Sequence, residues 1–313
     1  LLAKLPAPVV IILCPVVCGA LSGWINVTYP LTCGDGSEQI ATLIRNGQLG
    51  AEVIKIEDPD GGDYARSLSP ALFEQVNRGK SSITLDLRAA ADVNAFKRLV
   101  AEADVVIESF RPGVMERLGC GYDTLAAINP KLVYAALTGY GQTGPLREAA
   151  GHDLNYLSLS GVLDQNGTAG GPPGISNVQI ADLAGGALTC AVGVLSAVIG
   201  ARASGRGSFV DAAMLDGSLA LQSVAMATRA QFGRSQSRGA DTLTGALPNY
   251  RVYKCRDGRY LAVGALEPKF FGRLLETLHA SALPVVAPQV VILAATYGYT
   301  AELIAERKRV LTQ

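Results

Sequence analysis

Ala51-Glu52-Val53-Ile54-Lys55-Ile56-Glu57 is a run of strand length rich in Val and Ile, and it decides the fold because it recurs. Residues 82–87 (SITLDL), 104–110 (DVVIESF) and 132–138 (LVYAALT) repeat its length and apolar character. Between the second and third of these runs, residues 89–103 place Val93, Phe96, Leu99 and Val100 at helical spacing. Strands alternating with helices predict a parallel α/β sheet, whose apolar strands are covered on both faces. Several runs end in an acidic or polar residue, which sets polar groups at the carboxyl edge where open α/β sheets bind ligands.

Downstream of the fourth run, Gly139-Tyr140-Gly141-Gln142-Thr143-Gly144 spells G-x-G-x-x-G. It is not a dinucleotide fingerprint, because Pro145 follows, no apolar helix begins there and the match comes late in the sheet. There is no Walker A lysine. Residues 182–199 read as a small-residue, apolar helix expected to be buried, with Asp182 as its N-cap. A short strand at 208–211 and a helix over 212–231 follow. Residues 232–244, polar and rich in Arg, Ser and Gly, read as a linker; 248–253 and 260–263 read as a hairpin, and 270–279 as a helix ending near His279. The expected organisation is a large α/β domain over 1–231, the linker 232–244, a smaller α+β domain over 245–290 and an atypical tail over 291–313.

With 313 residues, 49% of them hydrophobic and 17% charged, the chain is globular and large enough for more than one domain. Its formal net charge of zero removes the electrostatic case for nucleic acid and leaves any anionic ligand to local basic residues such as Lys55, Arg78, Lys80, Arg88, Arg111 and Arg117. Cys14, Cys18, Cys33, Cys120, Cys190 and Cys255 show no metal-ligand spacing, so they read as reduced, structural thiols of a cytoplasmic protein. The apolar stretch before residue 22 is broken by Pro15 and too short to span a membrane. Residues 1–36 are atypical, and the expectation for their start is a buried first strand or a damaged reading frame in preference to a signal peptide.

No Gly-x-Ser-x-Gly elbow, zinc spacing or kinase set occurs, which removes support for nucleophilic serine, metal hydrolysis and kinase chemistry. What remains is Gly151-His152-Asp153-Leu154-Asn155-Tyr156, holding one of only two histidines, together with Asp182 and Glu267. Locally, Asp153 reads as a helix N-cap with His152 in the preceding loop. Chemically, an imidazole and a carboxylate on opposite sides of a carbon could take a proton from one face and return it to the other. Alternatively, Asp153 could attack a thioester carbonyl and carry the acyl group as a mixed anhydride. Both routes develop negative charge on a carbonyl oxygen and would use backbone N–H groups at turns and helix starts.

Several separated motifs in order, within residues 40–280, resemble family III CoA-transferases, the group that includes formyl-CoA transferase, carnitine CoA-transferase and alpha-methylacyl-CoA racemase. They are residues 49–57, Asn77-Arg78-Gly79-Lys80-Ser81, Ile107-Glu108-Ser109-Phe110-Arg111-Pro112-Gly113-Val114, residues 138–145 and Gly264-Ala265-Leu266-Glu267-Pro268-Lys269-Phe270. The stretch from Gly151 to Leu157 is similar to the racemase branch. The resemblance implies an open Rossmann-like parallel sheet with a smaller domain, two subunits interlocked as a homodimer, and CoA thioester as substrate with no permanently bound cofactor, metal, nucleic acid or membrane partner. It implies CoA contacts at Leu85, Asp86, Leu87, Arg88, Ser109, Phe110, Arg111, Arg117, Gly151, Leu154, Asn155 and Tyr156. The racemase branch implies a proton-transfer pair at His152 and Asp182, with Glu267 supporting the imidazole. The transferase branch implies Asp153 as nucleophile. Asp58 stands where relatives often carry a phosphate-binding Arg, so that contact is either lost or supplied by Arg66, and residues 240–247 replace a racemase signature. The expected activity is epimerisation at the 2-carbon of a 2-methylacyl-CoA; CoA transfer between carboxylic acids is the alternative, and an inactive CoA-binding relic is the third reading.

Overall fold

The computed structural model describes residues 9–13 and 51–279. The expectations for Cys14, Cys18, Cys33, the remainder of 1–36 and residues 280–313 lie outside them. Six parallel strands form one sheet: β1 (Val9–Leu13), β2 (Glu52–Glu57), β3 (Ser81–Thr84), β4 (Val105–Glu108), β5 (Val133–Thr138) and β6 (Ser208–Ala213), in the spatial order β3-β2-β1-β4-β5-β6. That order is the doubly wound one, with its switch point between β1 and β4. The atypical start therefore supplies the central strand: Val10 pairs with Val53 on one side and with Val105 on the other. β4 and β5 are buried at every position, which is why their sequences are continuous apolar runs and not alternating ones.

α1 (Pro70–Asn77) precedes β3, and one face of the sheet packs against α2 (Ala90–Val100) and α3 (Tyr122–Ile128). Ile11, Ile56, Val106 and Tyr134 meet Phe96, Val100 and Leu125 in that core. Burial holds the Tyr134 phenol far above its usual range, with the Glu108 carboxylate adding to the effect. α4 (Asp153–Ser160) follows β5. A π-helical stretch, Ala181–Leu188, then runs straight into α5 (Thr189–Ser204).

The helix expected to be buried is buried on one face only. Gly185, Gly186, Ala187, Cys190 and Val194 pack inward, while Leu188, Val192, Leu195 and Ile199 face out, Val192 65% and Ile199 71% exposed. By length and composition, 181–204 would satisfy a membrane span, but its inner face lies on β5 and β6. The helix expected over 212–231 is two, α6 (Met214–Ala220) and α7 (Ser223–Phe232), and β6 extends through Ala213. A side chain at Gly217 would overlap the Gly185 carbonyl, so that crossing requires glycine.

The chain divides into two compact units, one comprising residues up to Val162 with Ser176–Gln222, the other Leu163–Ile175 with the residues from Ser223 onward. The second unit contains the antiparallel hairpin of β7 (Tyr250–Lys254) and β8 (Tyr260–Gly264), followed by α8 (Pro268–His279). Within it the stretch read as a linker is tied down: Arg238 reaches Asp164 and the Gly171 carbonyl, and Asp241 caps the turn Thr242–Ala246. Buried Asn249 donates from Nδ2 to the Ala265 carbonyl at 2.6 Å and closes the base of the hairpin.

Candidate active site

The carboxyl edge of the sheet gathers most of the residues singled out from sequence. Residues 109–111 follow β4, the 139–144 turn follows β5, and 85–88 follow β3. The turn after β5 is built by hydrogen bonds: Thr138 Oγ1 accepts the Gly141 N–H at 2.9 Å, and Asp211 on β6 accepts the Gln142 N–H at 3.0 Å. Gly141 and Gly144 have φ of 83° and 85°, which favours glycine there.

His152, and not Asp153, occupies the N-cap position of α4, with extended backbone, and its N–H donates to Asn155 Oδ1 at 3.0 Å. The histidine is exposed. Asp153 turns away from its own helix: its Oδ1 accepts the N–H groups of Ala181 at 2.6 Å and Asp182 at 3.2 Å. Asp182 is therefore not the cap of the following helix. Ile180 stands at that position in helical conformation with no side-chain cap, and Asp182 lies in the first turn, whose backbone Asp153 satisfies from another element.

Behind this junction Tyr156 is buried, with its ring 5.2 Å from that of Tyr140 in an edge-on arrangement. Burial above all holds its phenol well above the usual range; Tyr140, Asp182 and Asp153 reinforce this and Arg111 opposes it. The same influences place Arg111, Tyr140, Asp153 and Asp182 in one neighbourhood around the tyrosine. A Cβ at Gly151 would stand 2.6 Å from Tyr156 Cε1 and 2.8 Å from Tyr140 Oη, and a Cβ at Gly139 would strike the same ring. Glycine at both positions lets the two flanking segments close on Tyr156. Arg111 also donates to the Glu148 carbonyl at 3.2 Å, tying the β4 loop to the segment before α4.

At the other end of the edge the charges are paired. Arg66 forks onto Glu57 at 2.7 and 2.8 Å and stacks on Phe73 with 4.0 Å to the ring centroid, so its guanidinium is already engaged. Arg88 contacts Asp86 at 2.7 Å and lies 3.9 Å from Asp58. That pair holds the Asp86 carboxyl below its usual range. Arg117 is exposed on a single helical turn, Val114–Arg117. Glu267 precedes α8 in the second unit, where its carbonyl accepts the Phe271 N–H and its Oε2 is buried without a hydrogen-bond partner among the described residues. Among the described residues no cluster of three or more His, Cys, Asp and Glu could hold a metal ion. Tyr140 was not singled out from sequence; its only signal was an aromatic residue set between two glycines.

The profile described as CoA-transferase family III matches residues 46–304. The alpha-methylacyl-CoA racemase of Mus musculus is 44% identical over 201 residues, covering 64% of this chain and 53% of that protein. The acetyl-CoA:oxalate CoA-transferase of Acetobacter aceti is 40% identical over 197 residues, covering 61% and 50%. The chain thus spans about half the length of these curated relatives. The crystal structure of a CAIB/BAIF family protein from Brucella suis superposes with a TM-score of 0.70 at 31% identity, covering 87% of this chain and 68% of that one.

Proposed function

The chain belongs to CoA-transferase family III, and from that premise we propose that it is an acyl-CoA racemase or epimerase acting at the 2-carbon of a 2-methylacyl-CoA thioester. The observation that carries this reading is the junction of α4 with the Asp182 helix: the residue next to His152 is hydrogen-bonded to the backbone of Asp182. An imidazole and a carboxylate on two adjoining helix starts can remove a proton from one face of the carbon and return it to the other. The enolate oxygen formed on the way would need backbone N–H groups other than those of Ala181 and Asp182, which Asp153 already holds. Similarity to the Mus musculus racemase supports the same reading. CoA contacts would come from residues 85–88, 109–111, Arg117, Gly151, Leu154, Asn155 and Tyr156, with the thioester held as substrate and no resident cofactor.

The second reading, CoA transfer between carboxylic acids through an anhydride at Asp153, is favoured by the similarity to the Acetobacter aceti transferase. Incubation in D2O with a 2-methylacyl-CoA and no acceptor acid separates the two. Deuterium entering the 2-position supports the racemase; turnover only when an acceptor acid is present overturns it in favour of transfer. A homodimer belongs to this proposal, supported by the exposed Leu188, Val192, Leu195 and Ile199 and by the unpartnered Glu267 Oε2. A cytoplasmic location is proposed with it, in keeping with the free thiols of Cys120, Cys190 and Cys255.

A further inference from the structure

We propose that Asp153 is a positioning residue, a clamp that fixes Asp182 relative to His152, and not a nucleophile; this rests on the racemase reading. The helix that carries Asp182 begins without a capping side chain of its own, since Ile180 offers none. Asp153 supplies the cap from 28 and 29 residues away, through one oxygen that accepts both the Ala181 and the Asp182 N–H groups. Such charge-assisted bonds are short and directional. The clamp is anchored at its other end, because the backbone of the preceding residue, His152, is held by Asn155. Two adjacent residues therefore bind the two segments that bear the proton-transfer pair: His152 sits on one, and Asp153 reaches the other.

The π-helical start makes this necessary. A π-turn is wider than an α-turn and is stable only where its surroundings hold it. Here Gly185 and Gly186 permit close packing on α6, and a Cβ at Gly185 would stand 2.8 Å from the Met214 carbonyl and from the Ser218 nitrogen. Packing thus fixes the second turn of the stretch, and Asp153 holds the N–H groups of Ala181 and Asp182 in the first. An oxygen that already accepts two N–H groups is also a poorer nucleophile, because its lone pairs are stabilised by both donors.

The test compares wild type, Asp153→Asn and Asp153→Ala in D2O, with each enantiomer of a 2-methylacyl-CoA supplied separately. Asparagine keeps an oxygen that can accept both N–H groups, so Asp153→Asn should retain racemisation to within about tenfold with KM unchanged. In Asp153→Ala the displaced Asp182 should lower racemisation by about a hundredfold, the scale expected for a 1 Å misplacement. The loss should be one-sided: deuterium still enters, with retention, the enantiomer whose proton faces His152, while exchange into the other is lost. Hydrogen–deuterium exchange of the amides of Ala181 and Asp182 should rise in Asp153→Ala and stay low in Asp153→Asn, and thermal melts by circular dichroism report folding. Asp153→Asn as inactive as Asp153→Ala, or equal loss of exchange into both enantiomers, overturns the clamp, as do amides that stay protected in Asp153→Ala. Wild-type protein that exchanges neither enantiomer overturns the racemase reading itself, so the two failures are told apart by the wild-type arm.

Discussion

The two ends of one sheet edge treat charge in opposite ways. Beside β2, Lys55 is 1% exposed and pairs with Asp63 at 2.5 Å, while Glu57 accepts Arg66, the Ser82 hydroxyl at 2.5 Å and the Asp63 N–H at 2.8 Å. Burial alone would raise the Glu57 pKa; the bonds from Arg66, Ser82 and Asp63 and the charge of Lys55 outweigh it and take the group from 4.5 down to about 2. Beside β5, His152 is exposed and its carboxylate neighbour is bonded to backbone N–H groups and not to a cation. Both ends hold residue types that do chemistry. The contrast teaches that a carboxylate met by cations braces its own segment, whereas one met by backbone N–H groups joins two helix starts and leaves the imidazole beside it exposed.

The largest test of that contrast is His152→Ala, which should lower exchange into the enantiomer whose 2-proton faces His152 by about 10²- to 10⁴-fold while the thermal melt barely moves; full exchange into that enantiomer would erase the distinction. Glu57→Gln should behave in the opposite manner, costing about 2–4 kcal/mol in urea titrations because Arg66 loses the carboxylate it forks onto, with exchange per folded molecule preserved. The pH dependence follows from the sign of the shift. The folded pKa is depressed, so the stabilisation from Glu57 is fully present above 4.5 and is lost as pH falls toward about 2. Acid titrations of wild type and Glu57→Gln should therefore converge below that window.

A finer test is Gly151→Ala, whose Cβ collides with Tyr156 and Tyr140. It should cost about 1–3 kcal/mol of stability and lower exchange as well, since the Tyr156 junction carries both. Gly200→Ala on α5 meets no atom within 4 Å; it should stabilise by about 0.5–1 kcal/mol and leave exchange untouched, as measured by the same two assays.

Sequence periodicity located β2, β4, β5 and α2 because buried strands and amphipathic helices are written in local apolar spacing. Val9–Leu13 was harder to place, since a strand of five residues gains its identity from the neighbours it pairs with, and those are more than forty and ninety residues away. His152, Asp153 and Asp182 were all legible as candidates, but their assignments as caps were not. Which residue caps the helix start at 181 depends on a contact between two helices, and a good capping residue in the sequence, Asp182, was passed over for one in another element. The outward face of α5 escaped for a similar reason: an all-round apolar helix reads as buried whether its second face meets the same chain or something else.

Among the described residues, β1 is the one strand that joins β3-β2 on one side to β4-β5-β6 on the other. Until Val9–Leu13 docks, a refolding chain holds two half-sheets, each with an unsatisfied parallel edge of Val and Ile. Such edges recruit strands from other molecules as readily as from their own. Yield on refolding, and the propensity to aggregate, should therefore be governed by how fast one five-residue segment threads between two waiting halves.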